Sequence, residues 1–505
     1  MSYNISFESF KELWGEDCIV VLDTNAILDL YRYSSATTDH VFTVLNSINE
    51  QIWIPAQVLE EYERNYRSVI TNARKKYSDV TQNVQAIFQK AKNGIDKQFI
   101  RYKNFNFPRI NELGEFINTK IIEINTEAAN FSISVNEEIE SNKTMLEDGR
   151  VKAFMDALNE SGRVGSASSF SEKVSIYSEG ATRYLHKLPP GYMDIDKDKK
   201  DETKTEKFGD LVLWKQLLKY AKTIDKSVIF ITNDDKEDWW VLNERNNPVE
   251  PRPELVQEFK ENSEHDFMMM SLSNFISNLS KAKNMESQIS YIEMNSDQFA
   301  LNLIENKGWD ILVSSNSNLS SYLIHSGDLQ NFVGYVYSDV EIENYGEPEI
   351  EIDNVDIIGN IVTMEGTFSV TQGLDIVIRE SFSEHYEESH SATIDISGYI
   401  SFTFEVDPQV EIDIDNEDGF ISSISNSMRT DIGGFEINEL RDHREREDYD
   451  DSCVDCGSRH ASYQTENGDP LCESCSSSYE VCPECGLFFK QLPGAFCDTC
   501  EYERS

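Results

Sequence analysis

Ile19-Val-Val-Leu-Asp-Thr-Asn25 is the stretch from which the fold is read. Four apolar residues, three of them β-branched, end abruptly in Asp23, Thr24 and Asn25. A short apolar run bounded by polar residues predicts a buried strand of a parallel sheet. Asp23 then stands at the strand's carboxyl end, where open α/β sheets place their chemistry. Far downstream, Val228-Ile-Phe-Ile-Thr-Asn-Asp-Asp235 repeats the pattern, an apolar run that ends in acids. Two strands of one sheet delivering carboxylates to one edge predict a divalent-metal site.

The bulk of the chain limits what surrounds that site. Its 505 residues exceed what one core holds, so several domains are expected. A formal net charge of −46, from 91 acidic and 45 basic residues, argues against broad attraction to nucleic acid or anionic membrane. Runs of about 18 apolar residues are absent, so no membrane span is expected. The start, Met1-Ser-Tyr-Asn-Ile-Ser6, lacks the basic and apolar regions of a signal peptide. Eight of the nine cysteines fall after residue 450 in four Cys-x-x-Cys pairs, and Cys18 stands alone. That pattern fits metal binding in a reducing compartment, and the cytoplasm is the expected location.

In chain order, Ala26–Tyr33 has helical spacing with Asn25 or Thr24 as N-cap. Gln51-Ile-Trp-Ile-Pro55 reads as a second strand, and Gln57–Arg64 as a helix carrying Glu60 and Glu61. From about 67 to 165, apolar residues at helical intervals predict a helical insertion, a hairpin or small bundle. Lys75, Lys76, Lys90, Lys92, Lys97, Arg101 and Lys103 there are the candidates for a substrate-backbone contact. Gly209–Ala221 reads as an amphipathic helix with Asp210 at its start. Residues 1–282 are thus expected to form one α/β domain, and 283–330 a connector with a mixed signal. Phe332–Tyr337, Glu349–Asp353, Asn360–Val370, Leu374–Ile378 and Ala392–Val406 alternate, which predicts an antiparallel β domain over 331–406. Residues 407–451 read as an acidic linker. Between 339 and 451, 31 acids oppose five arginines, a net of −26, so this part more plausibly meets protein than phosphate.

Metal-dependent phosphodiester hydrolysis needs several carboxylates converging on one or two hard cations. Asp23, one of Glu60 and Glu61, Asp210 and Asp234 meet that need from separate elements. Each singly has a plainer use: Asp23 or Asp234 as a helix cap, Asp210 as a helix-start acid, and Asp238 paired with a lysine or capping the Trp239-Trp240 turn.

Taken together, Val20–Asn25 with Leu30–Tyr33, Ile52–Pro55, Val58–Tyr62, Leu188–Tyr192, Gly209–Trp214 and Thr232–Trp240 resemble a PIN-domain nuclease of the larger PIN-like family. The resemblance covers roughly residues 5–280, interrupted by the helical region. It implies a Rossmann-like α/β/α sandwich and a magnesium- or manganese-dependent nuclease site. Asp23, Glu61, Asp210 and Asp234 occupy the four acidic positions and would bind the magnesium or manganese, and Asp235 is an accessory. Thr24 and Asn25 would orient Asp23 or the scissile phosphate, and Lys236 would contact phosphate. Met193 stands where members often carry a basic residue. RNA is favoured over single-stranded or flap DNA, in a toxin, defence or RNA-processing role. The rival from another class is a catalytically idle PIN-like adaptor that binds protein through the acidic β region and the tail.

Cys453-x-x-Cys456, Cys472-x-x-Cys475, Cys482-x-x-Cys485 and Cys497-x-x-Cys500 predict tandem zinc ribbons over 452–505, which hold about two zinc ions in four-cysteine sites. Gly457 and Gly486 suit the knuckle turns. Sequential and cross-braced pairings both satisfy the spacing. Knuckles rich in Glu, Asp and Ser favour a protein partner.

Overall fold

The computed structural model describes residues 5–15, 17–100, 108–141, 149–199, 202–244, 246–327, 329, 339–379, 387–407, 410, 412–413, 416–442, 453–456, 461–465, 469–491, 494–497 and 500. The expected strand Phe332–Tyr337 and Gly457 lie outside these residues, as do Arg101 and Lys103. The chain divides into two compact units. One comprises Met1–Ser317, Ile350–Phe368 and Tyr399–Gly433, the other Asn318–Glu349, Ser369–Gly398 and Gly434–Ser505.

Within Met1–Ser317 of the first unit the strands among the described residues are β1 (Ile19–Leu22), β2 (Ile52–Trp53), β3 (Val228–Ile231), β4 (Trp240–Leu242), β5 (Pro248–Pro251) and β6 (Phe267–Met270). A parallel sheet runs in the order β2-β1-β3-β6, and β4 and β5 pair antiparallel beside it. Every residue of β1 and β3 is buried, which accounts for their unbroken apolar sequence. The chain leaves β1 for β2 on one side, while β3 lies on the other. The topological switch point therefore falls between β1 and β3, where such sheets open a crevice at the carboxyl ends of their strands.

Around the sheet lie α1 (Phe7–Trp14), α2 (Thr24–Asp29), α3 (Ser35–Asn46) and α4 (Ala56–Ile100). They are followed by α5 (Pro108–Ser141), α6 (Arg150–Glu160), α7 (Phe170–Leu185), α8 (Gly209–Ala221), α9 (Pro253–Lys260) and α10 (Leu272–Lys283). The N-cap of α2 is Asp23, not Thr24 or Asn25. The inserted helices do not begin afresh at 67. No proline stands between Pro55 and Pro108, and α4 runs unbroken for 45 residues, about 66 Å at 1.5 Å per residue, with α5 packed on it. Helix α6 returns to the main core, burying Val151, Phe154, Met155 and Leu158, with Phe154 against Phe42.

Beyond α10 the mixed stretch is helical, with Gln288–Met294, Ser296–Lys307, Trp309–Asn316 and Leu319–His325. Phe299 packs on Phe404 and Phe420, and Trp309 on Phe368. Five strands then make one sheet: Arg429–Asp442, Glu387–Glu405, Ile361–Arg379 and Asp339–Tyr345 in that order, with Glu349–Ile358 beside Ile361–Arg379. Asp339–Tyr345 pairs antiparallel with Ile361–Arg379. Two of these elements correct the expected linker. Helix Asp418–Ile424 buries Phe420, Ile421 and Ile424, whose spacing makes one apolar face, and Arg429–Asp442 is a strand. Among the described residues no helix is long and apolar enough to cross a membrane.

Candidate functional site

β1 ends in Asp23, which is 6% exposed and turns from strand into cap. Its Oδ1 accepts the Thr24 backbone N–H at 2.6 Å, and its Oδ2 accepts Asn25 Nδ2 and Thr232 Oγ1, each at 2.8 Å. Asn25 ties the two strand ends together. Its Nδ2 also reaches Thr232 Oγ1 at 3.1 Å, and its Oδ1 accepts the Asn233 backbone N–H at 2.9 Å. Burial pushes the Asp23 carboxyl up from 3.8 to about 7. Thr232 and Thr24 oppose that rise, while Glu61 and Asp234 add to it.

Helix α4 separates the two glutamates left open by the sequence. Glu60 faces outward and pairs with Lys173 at 3.2 Å. Glu61 turns to the crevice, where its Oε1 accepts Gln57 Nε2 at 3.0 Å and its Oε2 accepts Thr24 Oγ1 at 3.1 Å. Gly209, at the start of α8, permits this approach, because a Cβ there would stand 2.5 Å from Glu61 Oε1.

Asp210 follows Gly209 in the first turn of α8. Burial, then Asp194, Asp23 and Glu61, drive its carboxyl well above the usual range, and Lys197 opposes them. Its Oδ2 is buried and has no hydrogen-bond partner. Such an atom costs about 1–3 kcal/mol or more if nothing binds it. Gly191, at φ +88°, lies against this carboxylate: a Cβ on it would come within 3.1 Å of Asp210 Cβ.

Asp234 lies beyond β3, with its backbone N–H donating to Thr232 Oγ1 at 3.2 Å. Trp240 Nε1 donates to its carbonyl at 2.7 Å, pinning the loop to buried Trp239 and Trp240. Asp235 is exposed on the same loop. Asp238 departs from both uses expected of it: it is fully buried and accepts the Met193 backbone N–H at 3.0 Å. Asp194, absent from the expected set, joins the cluster. It is 6% exposed and lies two residues after the quoted Leu188–Tyr192 stretch, the one local signal that could have found it. Thr232 and Gln57 were likewise unassigned.

Five carboxylates thus gather around one crevice: Thr24 and Thr232 link Asp23 to Glu61 and to the Asp234 loop, and Asp194 and Asp210 adjoin them electrostatically. Oxygen donors of this kind suit magnesium or manganese, and the unpartnered Asp210 oxygen fits a cation. Yet among the described residues only the cysteines bring three or more ligand atoms within 4.8 Å of one another. No three of the carboxylates draw together that closely, and like charges without a cation oppose such an approach.

The cysteines group sequentially: Cys453, Cys456, Cys472 and Cys475 form one cluster, and Cys482, Cys485, Cys497 and Cys500 the other. Cys456 and Cys472 Sγ lie 3.6 Å apart, and Cys485 and Cys497 Sγ 3.8 Å. A tetrahedron with metal–sulfur bonds of about 2.3 Å has edges of about 3.8 Å, so both clusters are compatible with zinc. Gly486, at φ +74°, closes the second knuckle with its N–H on the Cys482 carbonyl at 2.9 Å. In the helical arm, Lys90 and Lys97 are exposed and Lys92 pairs with Asp96 at 2.6 Å; the side chains of Lys75 and Lys76 lie outside the description.

No curated protein and no solved structure matches the chain. A family model described as a PIN-like domain matches residues 19–255, a span that opens on β1 and takes in Asp23, Glu61, Asp194, Asp210 and Asp234. PIN-like domains are generally nucleases and typically use divalent metals. The α/β region that gathers these five acids is a PIN-like domain.

Proposed function

We propose that this chain is a divalent-metal-dependent nuclease that hydrolyses phosphodiester bonds, in RNA before single-stranded or flap DNA. The observation that carries the reading is Asp210 Oδ2, a buried carboxylate oxygen without a donor, in a crevice shared with Asp23 and Glu61. Asp23, Glu61 and Asp210 would hold magnesium or manganese, with Asp234 completing the family's acid set. When bound, such an ion neutralises phosphate charge, acidifies water and stabilises the leaving oxygen.

The chain's own residues do the positioning. Thr24 is the hinge of the arrangement, giving its N–H to Asp23 and its hydroxyl to Glu61. Asn25 and Thr232 hold the second Asp23 oxygen, so its carboxylate cannot rotate freely. Gln57 fixes the other Glu61 oxygen. Support at this level sets the geometry and affinity of metal ligands. The two cysteine clusters would each hold one structural zinc and present an acidic surface to a protein partner. The family resemblance extends the proposal to a defence, toxin or RNA-processing role, and the paired cysteines to a cytoplasmic location.

Labelled single- and double-stranded RNA and DNA, incubated with manganese or magnesium, test this directly. The wild type is expected to cleave RNA only with the metal, and Asp23→Asn and Asp210→Asn to lose cleavage. A wild type that cleaves none of these substrates would favour the idle adaptor. Cleavage that survives both substitutions would remove the assigned site.

A further inference from the structure

The five acids fall into two groups by what already holds them. Asp23, Glu61 and Asp210 make no ion pair or hydrogen bond with a lysine or arginine among the described residues, and the hydrogen bonds that Asp23 and Glu61 accept come from hydroxyl, amide and backbone donors. Asp194 and Asp234 are held by lysines. Lys236 Nζ donates to Asp194 Oδ1 at 3.1 Å and to Asp234 Oδ2 at 2.9 Å. Asp194 Oδ2 accepts Lys197 Nζ at 2.5 Å, and Asp234 Oδ1 accepts the Lys236 backbone N–H at 3.1 Å. All four oxygens of this pair are therefore occupied by lysine groups.

We propose that Asp194 and Asp234 form a second cation subsite that the chain fills with its own Lys236 ammonium, so that the carboxylate centre takes a single divalent ion, at Asp23, Glu61 and Asp210. The inference rests on the metal-dependent reading of the same crevice. Two-metal phosphodiesterases set their ions about 3.5–4 Å apart, with carboxylates around both. Here one of the two carboxylate groups already binds a charge-assisted donor at ordinary distances.

The lysine is also placed by its backbone. The Trp239 and Trp240 N–H groups donate to the Lys236 carbonyl at 3.0 and 3.1 Å, and both indoles are buried. A divalent ion entering the subsite must compete with a cation tethered beside it, whose effective concentration is in the millimolar range or above. Magnesium, which gives up its water reluctantly, is poorly suited to that competition.

Manganese binding to the full-length, zinc-loaded chain separates the alternatives, read by calorimetry and by the electron paramagnetic resonance of bound ions. The wild type is expected to bind about one manganese per chain, Lys236→Arg about one, and Lys236→Met about two, because only the methionine vacates the subsite. Asp210→Asn is expected to lose the wild-type ion. Two ions in the wild type would overturn the proposal whatever the variants do, as would a Lys236→Met protein that still binds one. Failure of the wild type to bind any manganese would instead remove the metal-dependent reading, and this inference with it.

Discussion

The cysteine clusters and the carboxylate crevice both offer ligands that suit cations, and they are assembled in opposite ways. Each cysteine cluster draws its ligands from one short segment, 453–475 or 482–500, with ligand atoms already within 4.8 Å of one another. The crevice draws its acids from positions as far apart as Asp23 and Asp234, and no three of them draw together that closely. Little of the tail is expected to remain folded without metal, since among the described residues its buried cores consist of the cysteines with Leu471 and Phe489. The crevice instead rests on a sheet that folds by burying β1 and β3, and its repelling acids are a cost to that fold. In the tail a bound ion would supply folding free energy; in the crevice the fold sets up an electrostatic demand that an ion would meet.

The largest effect expected from this contrast is in the tail. Removing zinc with a strong chelator should unfold 453–500 and leave the α/β unit intact, as read by limited proteolysis and metal content. Structural zinc binds cysteine modules with roughly 10–16 kcal/mol at neutral pH, so the loss should be complete rather than graded. Cys472→Ser and Cys482→Ser should each cost one zinc. If either substitution emptied both sites, the sequential grouping would not describe the protein in solution.

Next in size is the loss of a crevice acid. Asp210→Asn is expected to lower the cleavage rate by about 10³-fold, ~4 kcal/mol of barrier, while zinc content stays unchanged. It should not destabilise the metal-free protein, because it removes a buried carboxylate that lacks a partner. A variant that lost both activity and fold would place Asp210 with the structural residues and erase the distinction between the two sites.

Support of the carboxylates should matter less than the carboxylates themselves. Thr232 Oγ1 donates to Asp23 and accepts from Asn25 and from the Asp234 backbone N–H, so it links the ends of β1 and β3. Thr232→Val keeps the shape and removes these bonds. Manganese affinity is expected to fall by about 10–100-fold, as when other supports of metal ligands are removed. An unchanged affinity in calorimetry would mean that Asp23 is held by the backbone alone.

The same contrast explains what could be read before the structure was known. Asp23, Asp210 and Asp234 were legible because each ends an apolar run or opens an amphipathic helix, and those patterns are local. The choice of Glu61 over Glu60 follows from the family resemblance, and its physical cause lies elsewhere in the chain: Lys173 on one side, Thr24 and the missing Gly209 side chain on the other. Asp194 was hidden for a related reason. It sits among Asp196, Asp198 and Asp201 in the sequence, and nothing local marks it out for burial. Its burial comes from the packing of its loop on Asp210 and from two lysines, one of them 42 positions away. The helices beyond α10 were obscure because they are short, and Phe420, Ile421 and Ile424 were masked by the acidic composition around them.

The smallest effect is a dependence on pH that should run in opposite directions in the two regions. Asp23 titrates near 3.8 when unfolded and near 7 when folded, so between those values the folded chain holds a proton that the unfolded chain has released. Its contribution is greatest below about 4 and is lost as pH rises toward 7, the reverse of a paired surface carboxylate. Between about pH 6 and 8 the manganese-free α/β unit should lose on the order of 1 kcal/mol from this group, measured by urea unfolding. Asp23→Asn should flatten that slope; Asp210, raised in the same direction, would leave a remainder. Saturating manganese should reverse the trend, since the ion displaces the proton and binds more tightly as pH rises. The cysteine clusters should instead release zinc as pH falls, because their ligands must be thiolates. An Asp23→Asn protein with the wild-type slope would show that the crevice carboxylate is ionised throughout, and that its acids are spaced by solvent rather than by the fold.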